Sequence, residues 1–120
     1  MAREIPYIQA LGEAVHGEMA RDDSVIYFGQ NLGLTDEDPY VQAFGKDRVR
    51  VTPISETAEI GMAVGAAFAG FRPVVQLYMS EFMLVAMDQV VNEAPRFYGM
   101  SGGEVKVPLV LQAGYGFTAG

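Results

Sequence analysis

Glu56 is the side chain best placed to do chemistry in this sequence, because it stands where a strand-forming run gives way to a helix-forming one. Val49-Arg50-Val51-Thr52 favours an extended backbone, Pro53 interrupts it, and the run of Ala, Gly, Met and Ile that follows reads as a helix closed by Gly70. The first turn of a helix has unpaired N–H groups and a partial positive charge, and both favour a carboxylate. From position alone Glu56 is a helix-start residue, with Ser55 or Thr57 as the cap. The sharper reading is a carboxyl group kept for proton chemistry, which a setting among apolar residues would suit.

Other candidates are few. His16 is the only histidine, and a lone His builds neither a metal site nor a triad, so it is expected to be structural, on the wet side of its helix. With no cysteine there is no disulfide framework, thiolate metal site or thiol nucleophile. Gln30 follows the apolar run Val25-Ile26-Tyr27-Phe28, which places Gly29-Gln30-Asn31 at the carboxyl edge of a sheet, where open α/β folds hold their ligands. No Gly-x-Gly-x-x-Gly or P-loop opens any helix, which counts against a flavodoxin-like nucleotide binder.

The elements that must position these residues alternate. Apolar residues three and four apart predict a helix over residues 7–21, weakened by Gly12 and Gly17. Strands are expected at 25–28, 49–52, 72–77 and 108–112. A short helix through Tyr40, Val41 and Phe44 is capped from Thr35-Asp36-Glu37-Asp38-Pro39 and ended by Gly45. A further helix runs from Ser80 toward Phe97, and Pro95 should stop it near Glu93 or bend it. The sum is an α/β architecture, a mostly parallel sheet with helices on both faces, in one domain.

Between Gly61 and Gly70 the third long helix carries almost no side-chain bulk, although each interior Gly costs roughly 1 kcal/mol against Ala. Something is therefore expected to pack closely on it, and a subunit interface is the reading favoured. Its apolar run is too short for the roughly 20 residues of a membrane span. A net charge of −7, with scattered basic residues, argues against a nucleic-acid partner. The amino-terminal residues lack the apolar core of a secretory signal, so a cytoplasmic location is expected.

Several motifs recur in one order: Thr52-Pro53-Ile54-Ser55-Glu56, the Gly61–Gly70 run, Arg72-Pro73-Val74-Val75, Met87-Asp88-Gln89-Val90-Val91-Asn92-Glu93-Ala94, Met100-Ser101-Gly102-Gly103 and Val107-Pro108-Leu109-Val110. Together they resemble the β subunit of the decarboxylating first component of thiamine diphosphate-dependent 2-oxo acid dehydrogenases, a family that includes pyruvate, branched-chain and acetoin enzymes. The likeness runs from about Pro6 to the last residue.

The resemblance implies a transketolase-like pyrimidine-binding domain. It also implies thiamine diphosphate as cofactor, and a carboxyl group against the cofactor's pyrimidine nitrogen, a role that falls to Glu56. Ile54 matches a residue lining the cofactor and Phe82 the aromatic that stacks on the aminopyrimidine; for each the plain alternative is an ordinary core side chain. Gln30 would lie beside the cofactor, where many relatives have an acid that helps proton traffic, and Gln112 stands where an Arg is common. No Gly-Asp-Gly occurs, so no metal ligand is assigned and the diphosphate and Mg²⁺ would belong to a partner α subunit. Further partners implied are a second β subunit through the Gly61–Gly70 helix and a lipoyl-bearing acyltransferase.

A catalytic histidine and a carboxyl-terminal domain are expected beyond the equivalent of Gly120. Residues 1–120 thus read as the amino-terminal portion of a longer subunit, inactive alone. The competing reading is a non-catalytic module that self-associates through the Gly61–Gly70 helix, with Gln30 as a sign of a decayed site.

Overall fold

The computed structural model describes residues 3–116. Helix α1 (Tyr7–Arg21) forms as the spacing predicts, and Gly12 and Gly17 do not interrupt it. It buries Met19 completely, whereas Tyr7 and Ile8, assigned by periodicity to the apolar stripe, stay exposed. The reason is reach: α1 packs on α2 (Pro39–Phe44) and β1 (Val25–Gly29), and its first turn extends past them to the rim of a groove. His16 lies on the exposed side as expected, but it is not alone, because its ring lies 4.8 Å from that of Phe44.

Strand β1 is the centre of the sheet. Val25 and Tyr27 point to a core shared with Met19, Val41 and Val49; Ile26 and Phe28 point to a second core with Ile60, Ala63, Val75 and Leu77. A strand buried on both faces is what its unbroken apolar run requires. β1 pairs in parallel with β2 (Val49–Val51) on one side and β3 (Arg72–Met79) on the other, and β4 (Val110–Gly114) adds to β3. The order β2-β1-β3-β4 is all parallel, with helices on both faces.

Local chemistry sets the boundaries. Asp38 caps α2 through the N–H groups of Tyr40 (2.8 Å) and Val41 (3.3 Å), and its other oxygen accepts from Gly33 N at 3.0 Å. Helix α3 (Glu56–Phe68) follows β2, and Gly70 ends its turn at φ 93, a conformation that L side chains rarely adopt. β4 begins two residues later than predicted. Pro108 has no N–H for the ladder, and Leu109 N donates to Val107 O at 2.8 Å.

The run after β3 departs most from expectation. Of the two outcomes expected at Pro95, a stop near Glu93 or a bend, the stop does not occur; the chain continues with changes of pitch, as a tight 3₁₀ stretch (Ser80–Ala86), a wide π turn (Gln89–Glu93), then α4 (Ala94–Met100) with Pro95 in its first turn. A proline removes one N–H and crowds the carbonyl four residues back, so widening the preceding turn lets the chain continue.

Because every strand is parallel, all four carboxyl ends lie on one edge. Gln30, the Thr52–Glu56 junction, Met79-Ser80 and Tyr115 gather there.

Candidate functional site

At that edge Gln30 Nε2 donates to Glu56 Oε1 at 2.9 Å. The pair joins the residue after β1 to the first residue of α3, and both side chains are half-buried. The approach of the strands behind it requires Gly29: a Cβ there would lie 2.3 Å from Gln76 O on β3. Among the described residues Glu56 Oε2 has no protein donor, so one oxygen is fixed and the other is open.

Neither expected cap acts as one. Ser55 occupies the cap position with an extended backbone and no side-chain bond, and Thr57 Oγ1 donates instead to Val85 O at 2.9 Å. That bond fastens the start of α3 to the 3₁₀ stretch that carries Phe82, which is 43% exposed. Ile54 is 82% exposed on the loop before α3. The fold thus brings Gln30 and Glu56 together and leaves apolar surface at Ile54 and Phe82 along the same edge.

A carboxyl group with one oxygen held and one free could hold a ring nitrogen of an aminopyrimidine, and Phe82 and Ile54 are the exposed apolar side chains of this edge that could flank such a ring. Among the described residues no three His, Cys, Asp or Glu side chains converge as metal ligands.

Sequence reasoning missed Glu59. Only 1% exposed, it accepts from Thr52 Oγ1 at 2.8 Å through Oε1, while its Oε2 is buried without a partner. A signal existed, since residues 59, 63 and 67 share a helical stripe, and Ala63 and Ala67 are buried. Thr52 N also donates to Gly29 O at 3.0 Å. The two acids of the first turn of α3 are thereby attached by different routes to the end of β1, Glu56 through Gln30 and Glu59 through Thr52.

On the opposite face of the sheet the Tyr27 hydroxyl donates to Gln112 Oε1 at 3.0 Å. Burial pushes the Tyr27 phenol up to about 12, with Tyr40 and Asp38 adding to the effect.

One face of the Gly61–Gly70 helix is packed, with Ala63 and Ala67 buried, whereas its glycines have no close neighbour among the described residues. Gly61 would meet only Gln89 Cγ at 3.6 Å, and nothing lies within 4 Å of a Cβ at Gly65. Met62 and Phe68 of the same helix are exposed. No helix of the described residues is long and apolar enough to cross a membrane.

A family model described as the transketolase pyrimidine binding domain matches residues 3–119. The acetoin:2,6-dichlorophenolindophenol oxidoreductase subunit beta of Cupriavidus necator is 38% identical over 135 aligned positions, covering 99% of this chain and 40% of the relative. The subunit of the same name from Bacillus subtilis is 34% identical, over 97% of this chain and 39% of its own length. The pyruvate dehydrogenase E1 component subunit beta of Rickettsia bellii is 40% identical, over 91% of this chain and 35% of its own. The chain therefore spans 35% to 40% of these relatives.

Proposed function

This chain belongs to the transketolase pyrimidine-binding domain family, and from that premise we propose that it is the amino-terminal portion of such a domain in the β subunit of a thiamine diphosphate-dependent 2-oxo acid or acetoin dehydrogenase. The observation that carries the reading is the Gln30–Glu56 hydrogen bond at the carboxyl edge of the sheet, with Glu56 Oε2 left open.

Thiamine diphosphate, when bound, supplies a carbon nucleophile for attack on a carbonyl group. The work of this chain is to hold one end of it. Glu56 Oε2 holds or shares a proton with a pyrimidine nitrogen, and Gln30 fixes the plane of the carboxyl group by engaging Oε1. Gln30 cannot ionise, so proton exchange at Glu56 runs through Oε2. Phe82 offers an aromatic face and Ile54 an aliphatic wall, and the exposure of both is consistent with a partner that closes the site and excludes water.

That partner is an α subunit, which supplies the diphosphate and Mg²⁺ contacts. A second β subunit covers the open Gly61–Gly70 helix, and a lipoyl-bearing acyltransferase receives the acyl group after oxidative decarboxylation. The setting is cytoplasmic, and a carboxyl-terminal domain completes the subunit. The decisive experiment is Glu56→Gln in the assembly with the α subunit, scored by thiamine diphosphate affinity and turnover.

The open face at Gly65 favours one other reading, a non-catalytic module that self-associates through α3. Calorimetry separates the two: cofactor binding with the α subunit supports the dehydrogenase, and self-association without any cofactor binding supports the module.

A further inference from the structure

Hydrogen bonds close a ring around the start of α3. Glu56 Oε1 accepts from Gln30 Nε2 at 2.9 Å, Gln30 follows Gly29 in the chain, and Gly29 O accepts from Thr52 N at 3.0 Å. Thr52 Oγ1 then donates to Glu59 Oε1 at 2.8 Å, and Glu59 lies in the same first turn of α3 as Glu56. The near side of the ring is half-open at Gln30 and Glu56, while Thr52 and Glu59 on the far side are buried.

An acid on that buried side is costly. Glu59 Oε2 is closed to water and has no partner among the described residues, whereas an aliphatic side chain in its place would leave no polar atom to satisfy. A buried group kept at such a cost calls for a reason beyond filling space. What the carboxyl group does that an aliphatic one cannot is accept from Thr52. That bond fixes the threonine side chain just past the end of β2, where the chain turns through residues 53–55 toward Glu56.

We propose that Glu59 is a positioning residue for Glu56. Buried, it touches neither cofactor nor substrate; through Thr52 and Gly29 it holds the end of β1 so that Gln30 stays on Glu56 Oε1 and the open Oε2 keeps one direction. The effect on rate is large for a small movement, since a displacement of about 1 Å can cost roughly 100-fold. That effect rests on the function proposed above; the ring itself does not.

The test separates positioning from mere stabilisation, in the protein assembled with its α subunit. Thr52→Val combined with Glu59→Leu removes the bond and the orphaned oxygen together, so its urea midpoint should stay near that of the wild type. A purely structural Glu59 would then leave everything else unchanged as well. Positioning predicts that amide hydrogen exchange over residues 29–31 and 52–56 quickens ~10-fold or more in the cofactor-free assembly. It also predicts that kcat for pyruvate or acetoin falls ~10-fold or more while KM changes little. Glu59→Leu alone carries the same test if the double variant does not fold, and Glu59→Gln, which keeps an acceptor oxygen for Thr52, should restore most of both losses. Exchange or kcat unmoved in a folded variant, or no rescue by Glu59→Gln, overturns the proposal. A wild-type assembly that neither binds thiamine diphosphate nor turns over sinks the dehydrogenase reading instead, and the exchange rates still decide whether Glu59 holds the ring.

Discussion

Thr52 donates its hydroxyl to Glu59 Oε1 across 2.8 Å in a region closed to water, where Glu59 Oε2 has no partner. The same threonine reaches back through its N–H to Gly29, the residue before Gln30. A buried acid three residues beyond Glu56 therefore anchors the start of α3 to the strand that presents Gln30.

Stability should respond asymmetrically to breaking this pair. Thr52→Val leaves both oxygens of a buried carboxyl group without a donor and is expected to cost about 1–3 kcal/mol in urea unfolding. Adding Glu59→Leu removes the orphaned group as well, so the double variant should regain most of the loss. A double variant no more stable than Thr52→Val would contradict this account.

Glycines that look alike in the sequence should behave in opposite ways. Gly29→Ala forces a Cβ to 2.3 Å from the Gln76 carbonyl and should cost about 3 kcal/mol or more. Gly65→Ala meets nothing within 4 Å and should stabilise the isolated chain by about 1 kcal/mol. If two copies pair through α3 as proposed, Gly65→Leu should prevent that pairing, read by light scattering, with the fold intact by circular dichroism. Normal assembly of Gly65→Leu would remove α3 from the interface.

Tyr27 sets an alkaline limit. Its folded-state pKa is raised from 10.0 to about 12, so the native chain keeps a proton that the unfolded chain releases. The contribution is complete below about 10 and is lost as pH rises through about 12. Tyr27→Phe should flatten that part of the melting-temperature profile while costing about 1 kcal/mol at neutral pH for the bond to Gln112. An unchanged alkaline slope in Tyr27→Phe would assign the limit to other groups.

Much of this was legible in the chain because the strongest signals are local. The unbroken apolar run at Val25–Phe28 announced a strand buried on both faces, Asp38-Pro39 announced the start of α2, and Gly70 its left-handed turn. The place of Glu56 at the start of α3 was legible from the strand-to-helix junction. Glu59 was not, since its burial depends on α3 turning that stripe inward and on Thr52 arriving from another element. The pitch changes over residues 80–100 were hidden for a similar reason: Pro95 signals a disturbance, and packing on α3 and β3 decides its form. Gln30 and Gln112 are distant in sequence, and only the strand order brings them to one cavity.

The central claim is that Glu56 holds the pyrimidine end of thiamine diphosphate. Its most direct test is calorimetric titration of that cofactor, with Mg²⁺, into the assembly with the α subunit, comparing wild type with Glu56→Gln. The account predicts a loss of affinity of ~10-fold or more in the variant, about 1.4 kcal/mol or more, with turnover falling further and the fold unchanged. Wild-type affinity and turnover in Glu56→Gln would contradict it.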